Sequence, residues 1–449
     1  MEVLRFTEDG WKNVLTSTGD ENVSILKFKD KNQVYINTNI GDEDLSFLGL
    51  LDINTGVITK LESDPDGKVD LGGAMFSSLT DELIGTVYTF EKSLVNWKDA
   101  SFEADYNFLR DHFNQAEVTF SSGTKDEQLW IIGVNSDVDP GSTYLFDRRD
   151  KKIKFLYTPR PEVPREHLCE MQPISYSSTD DLTIHGYLTR PKGTESQHVP
   201  GIIMPHGGPW VRDNWGYQSY TQFLANRGYA VLQVNYRGST GYGKYFLNAG
   251  DREWGKKMQD DLSNGVKFLI EQNICDAQNI GILGGSYGGY ATLAGLTFTP
   301  DLYACGVSIV GPSNLFTLLD SIPAYWESAR AMFHKRMGDP TSEEGKEHLR
   351  AISPFFHADN IKAPLLVGQG DNDPRVKTAE SDQIVSAMKK HNLPVEYLNF
   401  PDEGHGFANP QNSMAFISVM ERFLARHLKG RHQEDIPEAL QQIVNKVTV

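Results

Sequence analysis

Residues 279–298 read NIGILGGSYGGYATLAGLTF: an apolar strand-like run, a glycine cluster with serine at its centre, then a helix-forming run. Gly284-Gly285-Ser286-Tyr287-Gly288 satisfies the GxSxG pattern of a nucleophile elbow. A strand that turns at once into a helix forces the serine into a strained backbone conformation and leaves room only for small neighbours, which the glycines supply. The spacing therefore predicts Ser286 exposed above a strand end.

The same grammar recurs on either side. Apolar runs in GIIMPHGG, YAVLQVNYRG, ACGVSIVGP, APLLVGQGDND and VEYLNFPDEGHG alternate with helix-like stretches such as TAESDQIVSAMKKHN. Continuous rather than alternating hydrophobicity fits parallel strands covered on both faces. The expectation is a doubly wound α/β domain over residues 166–430, opened by hairpin strands PISYSS and LTIHGYLTRP. Residues 431–449 read as a C-terminal tail, with a short helix and no chemical signal.

Ligands of open α/β sheets bind outside the carboxyl ends of the strands, so the residues gathered there matter most. A serine hydroxyl needs a base. In the chain order serine, acid, histidine, the base follows Ser286, and His405 in DEGHGF comes straight after a strand in a glycine-flanked loop. The other downstream histidines lie on helices or in loops with no strand directly before them. The base in turn needs a carboxylate to fix its tautomer. GQGDNDPRV offers Asp371 and Asp373, between which spacing does not choose. For an oxyanion, the backbone amides of His206-Gly207-Gly208 in MPHGGPW and the N–H of Tyr287 are the candidate donors; His206 itself reads equally well as structural. Trp326 and Tyr325 in GPSNLFTLLDSIPAYWE, and Tyr290 one helical turn after Ser286, are candidates for an acyl pocket, with packing as the plainer role.

Ahead of residue 165 the text changes to short strands punctuated by turns, with almost no sustained helical period. QVYINTNI leading into LLDINTGVITKL resembles QLWIIGVN leading into YLFDRRDKKIKFLY, and LIGTVYTF falls between them. Repeats of about 40–50 residues with several strands each indicate β-propeller blades, about three to four of them in residues 1–165. The prolines of TPRPEVPRE mark the boundary.

Composition narrows the function. The chain has 449 residues, 39% hydrophobic and 23% charged, enough for two or three domains with real cores. Its formal charge of −17 repels phosphate backbones and anionic lipid, so neither nucleic acid nor membrane is an expected partner. No apolar run approaches the length of a membrane span, and the first residues lack an export signal, which suggests a cytoplasmic protein. Three widely spaced cysteines, no HExxH and no GxxxxGK[ST] give no metal or nucleotide site. No cofactor is expected.

GGSYGGY, HGGPW, NYRGSTGYG, GDNDPRV and DEGHGF together resemble the prolyl oligopeptidase family of serine peptidases, and HGGP with NYRGSTGYG looks closest to its acylaminoacyl-peptidase-like branch. The resemblance implies a β-propeller ahead of an α/β-hydrolase domain. It implies Ser286 as nucleophile, Asp373 as orienting acid, His405 as general base, and a short peptide as substrate. There are departures. Prolyl and dipeptidyl members carry a tyrosine at the His206 position, so the expected donor here is a Gly207-Gly208 amide. A dipeptidyl peptidase needs an acidic pair in the propeller, and Glu343-Glu344 lies in the other domain. The family's propeller usually has seven blades, so either the chain is a truncated product or a partial propeller leaves sheet edges that predict self-association into a homo-oligomer. The rival activities are a carboxylesterase on the same triad and a non-catalytic binding protein on the same fold.

Overall fold

The computed structural model describes residues 2–8, 10–193 and 198–449. The chain forms two compact units: residues 1–168 with 214–218 and 240–248, and the remainder.

In the first unit, the described residues form antiparallel meanders. Val23–Phe28, Gln33–Thr38, Phe47–Asp52 and Ile58–Glu62 make one of four strands; Glu117–Gly123, Leu129–Ser136, Asp139–Asp147 and Lys152–Tyr157 make another. Between them lies the three-stranded meander Leu71–Phe76, Leu83–Thr89, Ser93–Trp97, and Glu2–Thr7 pairs with Gly10–Thr16. The two sequence repeats are the central pairs of the four-stranded meanders: Gln33 lies opposite Asp52, and Leu129 opposite Asp147. These meanders are β-propeller blades.

Helix Ala100–His112 interrupts them where almost no helical period was expected. Asp99 caps it, accepting from the Ser101 and Phe102 N–H groups, and Phe102 and Leu109 bury its inner face. The same face also buries Asp105, which pairs with Arg148 and Lys151, so a carboxylate breaks the apolar stripe that would have announced the helix.

Residues 240–248 also depart from a single continuous boundary near 165. Asp44 Oδ1 accepts the Tyr245 N–H at 2.6 Å, Asp70 Oδ2 accepts that of Gly243 at 3.2 Å, and Lys244 Nζ donates to the Asn39 and Gly41 carbonyls. Those bonds make the segment part of the first unit.

In the second unit, the described residues form an eight-stranded sheet in the spatial order Met171–Ser177, Thr183–Thr189, Ala230–Asn235, Val199–Pro205, Cys275–Gly285, Cys305–Ile309, Leu365–Gly370, Val395–Phe400. The first two strands pair antiparallel and the remaining six run parallel, so the six carboxyl ends share one edge. Apolar residues occupy both faces of the central strands. Leu283 belongs to the cluster of Val307, Leu366, Phe416 and Phe423, whereas Ile282 faces Gly295 of helix Tyr287–Phe298. With helices on both faces, this is an α/β-hydrolase sheet.

The C-terminal segment is more than a tail. Helix Glu438–Val447 buries Leu440 and Val447, Thr448 bridges to Leu398, and the Val449 N–H donates to the Tyr397 carbonyl. It thereby covers the edge strand Val395–Phe400, which its amphipathic pattern permits but does not announce.

Candidate active site

Strand Cys275–Gly285 ends at Ser286, and helix Tyr287–Phe298 starts on the next residue. Ser286 sits at φ +57°, ψ −121°, a conformation that costs an L-residue about 1–3 kcal/mol and persists only where its surroundings impose it. Close packing imposes it. A Cβ at Gly284 would lie 2.5 Å from the Gly288 carbonyl carbon, and one at Gly288 only 2.2 Å from the Pro205 carbonyl oxygen. The glycines of the elbow are therefore spatial necessities, and Ser286 is left partly exposed at the strand end.

Two further strand ends carry the acid and the imidazole. His405 Nδ1 lies 2.7 Å from Asp373 Oδ2, while Asp373 Oδ1 accepts the Arg375 and Val376 N–H groups at 2.8 and 3.0 Å. The Asp373 side chain is 0% exposed and that of His405 16%, so the carboxylate is shielded and the ring can be reached. The loops that bear them are laced together: the Asp371 N–H donates to the Phe400 carbonyl, the Asn372 N–H to that of Glu403, and the Asn372 amide to that of Pro401. A Cβ at Gly370 would lie 2.2 Å from the Gly404 carbonyl oxygen. Asp371, the alternative acid, is exposed and accepts the Thr378 hydroxyl at 3.0 Å. Geometry thus separates two carboxylates that spacing left equal.

Ser286 and His405 do not hydrogen-bond directly; among the described residues the hydroxyl has no hydrogen-bond partner. Serine–base contacts in unliganded sites are commonly long and tighten around the substrate.

Gly207 lies against the elbow, since a Cβ there would meet the Gly285 oxygen at 3.2 Å and the Ser286 Cβ at 3.4 Å. Tyr287 is the first residue of its helix, so its N–H has no intrahelical acceptor and lies at the positive end of the helix dipole. The His206 ring turns elsewhere. It stacks on Tyr236 at 4.4 Å, with Nδ1 2.7 Å from the Gly207 carbonyl oxygen and Nε2 2.9 Å from Ser239 Oγ. Burial lowers its pKa and keeps it neutral, so it braces the loop.

Beside the elbow opens an apolar cavity of about 300 Å3, lined by Gly208, Ser286, Tyr287 and Val376 and walled by Trp326, Phe333 and neighbours. Trp326 thus reaches the cavity. Tyr325 is 60% exposed and Tyr290 fully buried, and neither lines it. The Tyr290 hydroxyl donates to the Ile352 carbonyl at 2.7 Å, which makes it a packing residue and corrects its place among the pocket candidates.

Sequence reading also missed several supports. Glu403, buried two residues before His405, accepts the Ala408 and Asn409 N–H groups at 2.9 Å each and so holds the histidine loop. It was legible as the acid of DEGHGF. Trp210 closes the HGGPW motif and Leu318 and Leu319 lie in GPSNLFTLLDSIPAYWE, but none of them was singled out for the cavity wall, and Met332 and Phe333 carried no motif.

Residues 215–431 match the prolyl oligopeptidase family. Over 375 residues the chain is 46% identical to dipeptidyl aminopeptidase BIII of Pseudoxanthomonas mexicana, an alignment covering 82% of this chain and 54% of that protein. A puromycin-hydrolyzing peptidase of Mycobacterium tuberculosis superposes with a TM-score of 0.78 at 21% identity, covering 96% of this chain and 66% of the other. The acylaminoacyl peptidase of Pyrococcus horikoshii does so at 0.73 and 21%, covering 99% and 68%. Blades ahead of an α/β-hydrolase sheet with a serine elbow define the class, and the chain belongs to the prolyl oligopeptidase family. It spans about half the length of the curated relatives it matches.

Proposed function

We propose that the chain is a serine peptidase that cleaves short peptides through an acyl-enzyme. Asp373 fixes the Nδ1–H tautomer of His405, and the opposite nitrogen takes the Ser286 proton as Oγ attacks the substrate carbonyl. The Tyr287 N–H and an amide of Gly207-Gly208 stabilise the oxyanion, each donor being worth about 2.7–4 kcal/mol. His405 then returns the proton to the leaving amine, and water repeats the cycle on the acyl-enzyme. The observation that carries this reading is the 2.7 Å Asp373–His405 pair on the sheet edge that also bears the strained Ser286.

The cavity favours a bulky apolar side chain next to the cleaved bond, because its wall offers rings and branched chains. The 46% relative is named a dipeptidyl aminopeptidase, which supports removal of dipeptides from a free N-terminus, with the amine held by acidic groups other than Glu343-Glu344. We place residues 1–165 as the partial propeller and 166–430 as the catalytic domain. A cytoplasmic setting is supported by three cysteines buried as thiols, whereas among the described residues no helix is long and apolar enough to cross a membrane. Self-association is supported by exposed Phe6, Trp11, Phe28 and Leu94 in the blades; a monomer in light scattering at micromolar concentration would count against it.

The test is covalent. A fluorophosphonate should label Ser286 in the wild type and nothing in Ser286→Ala, and mass spectrometry should find dipeptides released from free but not acetylated hexapeptides. An unlabelled wild type refutes the mechanism. Turnover of p-nitrophenyl esters without any peptide cleavage would favour the carboxylesterase.

A further inference from the structure

Two segments meet the cavity beside the elbow, and one buried carboxylate ties them together. Pro312, Leu318 and Leu319 follow strand Cys305–Ile309; Arg375 and Val376 follow Asp373. Glu380, in the first turn of helix Thr378–Lys390, is 1% exposed. One carboxylate oxygen accepts the Ser313 and Asn314 N–H groups at 2.9 Å each and the Gln383 amide at 3.0 Å, and the other accepts the Thr317 hydroxyl. Its backbone carbonyl accepts the Ser313 hydroxyl at 2.6 Å. Beyond this clamp, Asn314 caps helix Leu315–Asp320, and Ser353 Oγ accepts the Leu315 N–H at 3.0 Å.

A carboxylate so placed is costly. Burial raises its pKa, and the bonds from Thr317, Asn314 and Ser313 oppose that shift. Helix capping does not call for it, because Asn314 already performs that task. What Glu380 adds is a link between the cavity wall and the segment that carries the acid of the triad.

We propose that Glu380 is a positioning residue for selectivity: by holding residues 312–319 against the Asp373 segment it sets the shape of the apolar cavity, and with it the preference for a bulky apolar side chain on the acyl side of the cleaved bond. The inference rests on the proposed peptidase reading of this cavity. Packed walls move as units, so releasing the clamp shifts Leu318 and Leu319 together. An alanine side chain in the cavity barely meets that wall; a phenylalanine side chain presses on it.

The experiment compares two dipeptidyl p-nitroanilides differing only in alanine or phenylalanine at the acyl residue. It uses the full chain and its Glu380→Ala, Glu380→Gln and Thr317→Val variants, with active sites counted by fluorophosphonate titration. In Glu380→Ala, kcat/KM should fall about tenfold more for the phenylalanine substrate than for the alanine one, mainly through KM. Glu380→Gln keeps an oxygen for the two N–H groups, and its ratio should shift by about threefold or less; Thr317→Val should shift it in the same direction by about twofold. Parallel loss on both substrates, or no shift in any variant, overturns the proposal. If Glu380→Ala fails to fold, the other two variants decide by the same ratio. A wild type that takes up the probe but shows no preference overturns this inference and leaves the peptidase standing. A wild type inert to probe and substrates overturns both.

Discussion

The loops of residues 370–376 and 400–407 are fixed by directional bonds: a carboxylate to an imidazole, two N–H groups to the same carboxylate, and backbone amides from one loop to the other. Where residues 318–333 face the cavity, they meet it by packing. There Trp326 and Phe333 pack at 5.9 Å, Trp210 meets Phe333 at 5.4 Å, and the Arg375 guanidinium lies 5.3 Å from the Trp326 ring. Hydrogen bonds specify a position to within tenths of an ångström, which proton transfer demands. Ring packing specifies a shape, which is enough to select a side chain. The two regions should therefore fail differently when broken, the first in turnover and the second in substrate affinity.

The largest effect should come from the acid. Asp373→Asn keeps the volume but lets the imidazole adopt the wrong tautomer, and kcat should fall about 10⁴-fold with KM little changed. Asp371→Asn, two residues away, weakens only exposed bonds from Thr378 and Asn399 and should stay within about twofold. Steady-state kinetics on one peptide substrate checks both. Equal losses in the two variants would erase the distinction between a functional and a turn-forming aspartate.

Next in size is the wall. Trp326→Ala opens the cavity, and kcat/KM for a substrate with phenylalanine on the acyl side should drop about 10- to 100-fold through KM, while an alanine substrate loses much less. A matching fall in kcat for both substrates would mean that the ring supports the catalytic loops as well, and the contrast between the regions would dissolve.

The same contrast explains what could be read beforehand. Ser286, His405 and the elbow glycines were visible because strained turns and proton transfer tolerate few residue types. Asp373 parted from Asp371 only through three-dimensional geometry, apart from its family resemblance. The wall residues Leu318, Met332 and Phe333 look like any core residue, since packing accepts many apolar side chains. Glu380 was invisible for a related reason: an acid at the start of a helix normally reads as a dipole partner facing solvent, and burial becomes apparent only once Ser313 and Asn314 fold over it. In the blades, the strand repeats were legible, but helix Ala100–His112 was hidden because Asp105 occupies a position on its buried face.

The smallest effect sets the packed wall against the buried histidines His185 and His206, by pH rather than by truncation. The wall of residues 318–333 meets the cavity with Leu, Ile, Pro, Trp, Ala, Met and Phe, none of which titrates. Elsewhere in the same unit, burial lowers the pKa of two imidazoles: His206 at the end of strand Val199–Pro205, and His185 on strand Thr183–Thr189, which falls to about 4 with Arg212 adding to the shift. An unfolded chain protonates histidine near pH 6.5, whereas folded His185 resists down to about 4. Between those values the unfolded state binds more protons, so stability should fall as the pH drops from 7 to 5 and should be flat with respect to this group above 7. His185→Gln should make the decline shallower by about 1 kcal/mol over that interval, measured by urea unfolding at pH 7, 6 and 5. Trp326→Ala should lower the whole curve without changing its slope. If the slope changes in Trp326→Ala and not in His185→Gln, the titrating group lies elsewhere, and the packed wall is not neutral toward pH.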